Sequence, residues 1–128
     1  MSATDPIVNN ERITRYINEQ GKIRPSTGKA GYNAFMPPKN LRLSIYRTET
    51  LGDGEVWAIA DEFVSTAEKP VIARADLPAS SYLSKALTIE PDGVPHPRHS
   101  NAVGWLTDHS AQKVIALQLA ESAALFMK

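Results

Sequence analysis

No cysteine occurs anywhere in the 128 residues. That alone excludes disulfide bridges, zinc-thiolate centres, iron–sulfur clusters and thiol nucleophiles. Nor is there an excess of either charge. Lys and Arg together number 14, as do Asp and Glu, so no net field draws the whole chain to nucleic acid or anionic lipid, although a local basic patch is compatible with the balance. Long apolar runs are missing too: no stretch approaches the roughly 20 residues that cross a bilayer as a helix, so no membrane partner is expected. The opening Met1-Ser2-Ala3-Thr4-Asp5-Pro6 lacks a cationic region followed by an apolar core. It does not read as a secretion signal, and a cytoplasmic location is the expectation. What is present suits one globular domain: 42% hydrophobic and 22% charged residues, in a chain too short for two substantial cores.

Patterning places an irregular N-terminal arm at 1–40, part of the same domain as a compact α+β core at 41–128. Within the arm, 10–17 fits a short helix or a strand equally, because Ile13, Tyr16 and Ile17 cover too few turns to decide. The turn formers and cations of 21–29 follow, without the Gly-Lys-Ser/Thr ending of a phosphate-binding P-loop. Residues 41–47 alternate as a strand, with Leu41, Leu43 and Ile45 on one face and Arg42, Ser44 and Tyr46 on the other. Arg47 continues the apolar face at the strand's end. Asp53 is a plausible N-cap for a helix carrying Val56, Ile59, Ala60, Phe63 and Ala67 as its stripe, stopped by Pro70. Residues 71–77 read as a second strand, 87–89 as a short third and 101–105 as a fourth, with a stiff proline loop at 91–97. Thr107 or Asp108 caps a final helix expected to run to about Met127. The sum is an α+β fold: a three- or four-stranded sheet carrying two main helices.

Two of the three histidines fall in the run His96-Pro97-Arg98-His99-Ser100-Asn101. Imidazoles titrate near neutrality, which makes His96 and His99 candidates for general acid and base. In an extended chain, however, His96, Arg98 and Ser100 share one face while His99 points the other way with Asn101, Val103 and Trp105, so the two rings converge only if Pro97 directs a turn. His99 is equally well accounted for as a buried residue pinning the loop. Arg98 and Asn101, together with Arg47 and Arg74 on the strands, are ligand-binding candidates, since guanidinium forks suit phosphate or carboxylate. Ion pairing is the competing role: Arg47 with Glu49, Asp76 or Glu90, and Arg74 with Asp76. His-x-x-His spacing falls short of a metal site, because neither Glu90, Asp92, Asp108 nor His109 is fixed as a further ligand. No metal or cofactor is expected. Trp57 and Trp105 are assigned to packing ahead of base stacking. Lys22, Arg24 and Lys29, near Tyr32, are a minor candidate for a nucleic-acid-binding arm, against which net neutrality and few aromatics weigh.

The stretches 43–48, 73–77, 89–92 and 97–105, with Gln112-Lys113 in the last helix, resemble a family of small uncharacterised bacterial proteins, the Pro97-Arg98-His99-Ser100-Asn101 to Gly104-Trp105 segment being the most specific part. The resemblance covers about residues 30–125 and implies a bacterial cytoplasmic or mobile-element setting without implying a reaction. The Arg47-ended strand also resembles the opening strand of ADP-ribosyltransferase domains, but no catalytic glutamate motif follows it. Three functions are compatible with the sequence. The leading expectation is a domain binding a phosphorylated ligand, such as a nucleotide or nucleic-acid end, through its Arg/His cluster. The alternatives are a His-dependent enzyme cleaving or transferring a phosphoester, and a non-catalytic subunit or inhibitor that binds a protein partner.

Overall fold

The computed structural model describes residues 5–128. Its plan follows from β alternation. Strand β1 is Arg12–Ile17, short strands β2 (Ile23–Arg24) and β3 (Lys29–Ala30) form a small hairpin, and β4 is Leu43–Arg47. Helix α1 (Asp53–Ile59) runs on into a π-helical turn, Ala60–Val64. Strand β5 (Ala73–Pro78) leads directly into α2 (Ala79–Leu83), followed by β6 (Thr88–Pro91) and β7 (His99–Val103). Helix α3 (His109–Ser122) and β8 (Ala124–Met127) complete the order. The main sheet has six strands in the order β6-β7-β4-β1-β5-β8, and β2 and β3 pair separately. Each pairing in the main sheet is antiparallel.

Because side chains alternate across a strand, each central strand serves two layers. Ile13, Ile17, Leu43, Ile45, Ala73, Ala75, Leu77 and Ala102 point to one face and join Leu119, Ala116 and Tyr82 in the larger core. Tyr16 and Tyr46 point to the other, beneath Val56, Ile59 and Ala60 of α1 and its π turn. Helix α3 therefore seals one side and α1 part of the other.

The expected three- or four-stranded sheet with two main helices is corrected to six plus two strands and three helices. Two local choices account for most of the difference. Residues 12–17 form a strand between β4 and β5, since Ile13 and Ile17 are needed in the core while Thr14 and Tyr16 face the opposite layer. The last helix stops at Ser122; Ala123 is extended, and Ala124–Met127 covers the outer edge of β5 instead of adding a helical turn. The unpaired backbone groups of a strand edge are satisfied by that exchange. Asp108 does cap α3, its carboxylate accepting from Ala111 N–H at 2.9 Å. Asp53 does not cap α1: Gly52 holds that position and the Asp53 carboxylate turns to Arg74.

Candidate functional site

The α1-side face carries the polar groups. Register sets Ser44 opposite Asn101 and Tyr46 opposite His99, so Ser44 and His99 are diagonal neighbours on β4 and β7. Their side chains meet: Ser44 Oγ lies 2.7 Å from His99 Nε2. On the far side of the ring, Nδ1 lies 3.2 Å from Asp92 Oδ2. That second approach is charge proximity, off the line of a well-formed hydrogen bond. Asn101 Nδ2 donates to the same Asp92 oxygen at 3.1 Å and so fixes the carboxylate.

Burial holds the His99 imidazole below its ordinary value near 6.5, partly offset by the Asp92 carboxylate and the Val94 carbonyl. The ring is therefore neutral at pH 7. With acceptors gathered around Nδ1, its proton belongs there, leaving the Nε2 lone pair to accept from the Ser44 hydroxyl. Tyr46 packs edge-on to the His99 ring at 5.1 Å and closes its inner side. Arg42, two residues before Ser44 and on the same face, reaches Glu90 Oε1 at 2.6 Å, with both side chains nearly half exposed.

A second polar group lies beyond the tyrosines. Thr14 Oγ1 donates to Asp76 Oδ1 at 2.8 Å, and Arg74 Nε lies 3.2 Å from Asp76 Oδ2. Burial raises the Asp76 carboxyl above its ordinary value, against the Thr14 bond and the Arg74 charge. Arg74 is held between the rings of Trp57 and Phe126 at 5.0 and 5.1 Å, and donates to Asp53 at 2.9 Å. Cation–π contact of this kind replaces part of the hydration that burial removes.

The six residues singled out by sequence thus disperse. His99 and Asn101 stand together in the Ser44–Asp92 group. Arg74 is on the same face, at the other end of the Tyr16–Tyr46 pair. Arg47 is on the opposite layer, fully buried, its Nε 2.6 Å from Glu11 Oε1 and its Nη atoms on the Asp5 and Pro6 carbonyls. Those contacts tie the segment before β1 to the end of β4. Arg98 gives its carbonyl to Arg47 N–H at 3.0 Å and its side chain to Thr50. His96 accepts from Arg98 N–H through Nδ1 and meets Phe63 edge-on at 5.0 Å, lining a small cavity with Leu51, Ile59 and Glu62.

Two members of the group, Ser44 and Asp92, were not among the sequence candidates for catalysis. Ser44 stood in plain view on the polar side of the clearest strand. What makes it chemical is register with β7, which no local pattern encodes. Among the described residues no cluster of three or more potential metal ligands occurs, and no helix is long and apolar enough to cross a membrane. No protein-family model matches the chain, and no curated protein or solved structure matches it either.

Proposed function

We propose that the protein cleaves or transfers a phosphoester through Ser44, with His99 as general base and acid and Asp92 as the positioning residue. The observation that carries this is Ser44 Oγ at 2.7 Å from His99 Nε2, with Asp92 Oδ2 placed 3.2 Å from Nδ1 of the same ring. A nucleophile within hydrogen-bond reach of a base, and a third group orienting that base, is the signature of an activated hydroxyl. Contacts of 3.2 Å in a ligand-free site tighten once substrate is bound.

The choice of phosphorus over an acyl carbon rests on the surroundings of Ser44. Acyl transfer calls for backbone N–H donors aimed at the oxyanion. Arg47 N–H bonds to Arg98 O, so by ladder alternation the Ile45 amide, next after the nucleophile, is committed to β7. Arg42, two residues before Ser44, carries a guanidinium on this face, and its planar fork matches phosphoryl oxygens. Its pair with Glu90 is solvent-exposed and so costs little to open, about 0–1 kcal/mol.

In the reaction, Ser44 Oγ attacks phosphorus as its proton passes to His99 Nε2. The bond from phosphorus to the leaving oxygen breaks, and that oxygen takes the proton from His99. Water then attacks the phosphoserine, giving a proton to His99, which returns it to Ser44 Oγ as the Oγ–P bond breaks. The sum is phosphoester plus water to alcohol plus phosphate, while an acceptor alcohol in place of water gives transfer.

Intact-mass analysis with a fluorophosphonate, alongside turnover of nitrophenyl phosphate mono- and diesters, tests this. One adduct mapping to Ser44 is expected, absent in Ser44→Ala. Turnover should fall about 10²–10⁴-fold in His99→Ala, with the fold checked by circular dichroism. Turnover undiminished in Ser44→Ala overturns the proposal. So does binding of the esters through Arg42 with no turnover and no adduct, which leaves a phosphate-binding domain in its place.

A further inference from the structure

A cleft of about 210 Å³ lies on the opposite side of the sheet from Ser44, between the β2–β3 hairpin and the last turns of α3. Its α3 wall has a helical basis. Lys113, Leu117, Ala120 and Glu121 are spaced i, i+4, i+7 and i+8 and form one stripe. Leu117 is 42% exposed, leaving an apolar side chain uncovered at the cleft. Tyr32 lines the hairpin side, and the small side chains of Ala30 and Ala120, both nearly buried, are also part of the lining.

The rim is cationic, and its cations have unequal freedom. Lys29 Nζ donates to the Glu121 carbonyl at 2.9 Å, countering the negative end of the α3 dipole. Lys113 Nζ stands over the Tyr32 ring at 4.6 Å. Arg24, at the hairpin end, is exposed, and no side-chain hydrogen bond or ion pair engages its guanidinium among the described residues. Glu121 is the one carboxylate in the lining. An anion is therefore drawn to the Arg24 end, away from Glu121 and the helix terminus.

We propose that this cleft binds a single-ring aromatic anion, the ring lying between Tyr32 and Leu117 over Ala30 and Ala120, and its carboxylate or phosphate paired with Arg24. The volume is short of what a drug-sized ligand fills, which limits the body to about one ring. An aromatic wall favours a flat partner by offset stacking. The guanidinium supplies paired donors for either head group. The site stands apart from the Ser44 proposal, being separated from it by the sheet.

Amide-resolved NMR titration of the full chain with benzoate, phenyl phosphate and benzyl alcohol tests it. Saturable shifts at Ala30, Tyr32, Leu117 and Ala120 are expected with an anion. The two anions show which head group is preferred. Arg24→Ala should weaken that anion about tenfold, the scale of one charge-assisted hydrogen bond, and benzyl alcohol should bind at least about tenfold more weakly than it. Leu117→Glu should abolish the shifts at these four amides while the rest of the spectrum stays in place. Phenyl phosphate shifts at Ser44 and His99 that persist in Leu117→Glu report the other site and are read separately. Absence of saturation with both anions at the four amides overturns the inference, and so does benzyl alcohol binding as tightly as the anions.

Discussion

Along β4 the two layers of the molecule alternate residue by residue. Leu43, Ile45 and Arg47 belong to the layer beneath α3, whereas Ser44 and Tyr46 belong to the layer beneath α1. The first layer is dominated by aliphatic residues and alanines that are close to fully buried; its Arg47 guanidinium is matched by Glu11, and that of Arg15 donates to the Ala34 and Ser44 carbonyls. The second mixes hydroxyls, two tyrosines, a histidine, an arginine and carboxylates, some with atoms lacking a well-formed hydrogen bond, such as Arg74 Nε and His99 Nδ1. Unpartnered buried atoms occur in both layers, Tyr82 Oη and Ser100 Oγ lying in the first, so the difference is one of composition: close-packed apolar side chains support structure. A layer of charged and titratable side chains retains interaction capacity that a substrate can use. The same strands thus carry stability on one side and chemistry on the other, and substitutions on neighbouring residues should separate the two.

The largest effect on stability is expected at Arg47. Arg47→Ala strands the buried Glu11 carboxylate and should lower unfolding free energy by about 3–5 kcal/mol in urea titrations. Replacing both partners, Arg47→Met with Glu11→Leu, should recover much of that loss, because the uncompensated charge is the costly element. Full recovery of the wild-type midpoint in Arg47→Ala alone would mean that the pair does not organise the segment before β1. Retention of turnover by the double variant would show that Arg47 belongs to the structural layer.

Ile45→Ala and Ser44→Ala make the sharper comparison, since they differ by one position. Ile45 is fully buried, and truncation should cost about 2–5 kcal/mol through lost burial and a cavity. Ser44→Ala removes one hydroxyl from the His99 contact and should cost about 1 kcal/mol, while eliminating the fluorophosphonate adduct. If Ser44→Ala is as destabilising as Ile45→Ala, the hydroxyl is a structural tie and the division between layers fails at its central strand.

The legible part of this fold was the part written in local pattern. The strands expected at 41–47 and 71–77 form at 43–47 and 73–78, and the start of α3 follows from capping chemistry. The 96–101 run does not divide as an extended chain would: it turns at Pro97-Arg98, with His99 N–H on the His96 carbonyl at 2.9 Å, and both imidazoles pack against Tyr46. The strand at 12–17 was ambiguous because Arg12, Thr14 and Arg15 give neither period, and its place is settled by partners on both sides. Phe126 mimicked a helical stripe but sits on an edge strand opposite Arg74. The same limit applied to chemistry. His99 and Asn101 were visible as a pair facing one way, but Ser44 lies 55 positions from His99 and Asp92 is in the loop between β6 and β7. Arg47 shows the converse: a strand-end arginine reads as a ligand fork, and its buried partner proves to be a glutamate outside the sheet.

The smallest effect distinguishing the layers is pH dependence, and its sign is fixed. Burial lowers both His96 and His99 from 6.5, so the fold favours their neutral forms. The stability tied to them is complete above the unfolded value and is lost as pH falls through 6.5 toward the folded values, because over that window the unfolded chain binds more protons. Asp76 acts in the opposite sense and nearer its own range: raised by burial from 3.8, its carboxyl is protonated earlier in the folded state, which relieves a cost as pH falls through the folded value. Urea midpoints should therefore decline between pH about 7.5 and about 5.5, and Asp76→Asn should leave the histidine contribution to that decline in place. Asp92→Asn removes a charge that raises His99. It should shift the acidic limb of turnover to lower pH while reducing its plateau, since a more readily deprotonated base is also a less well-oriented one. A limb unmoved by Asp92→Asn would separate the carboxylate from the base, and with it the α1-side layer from catalysis.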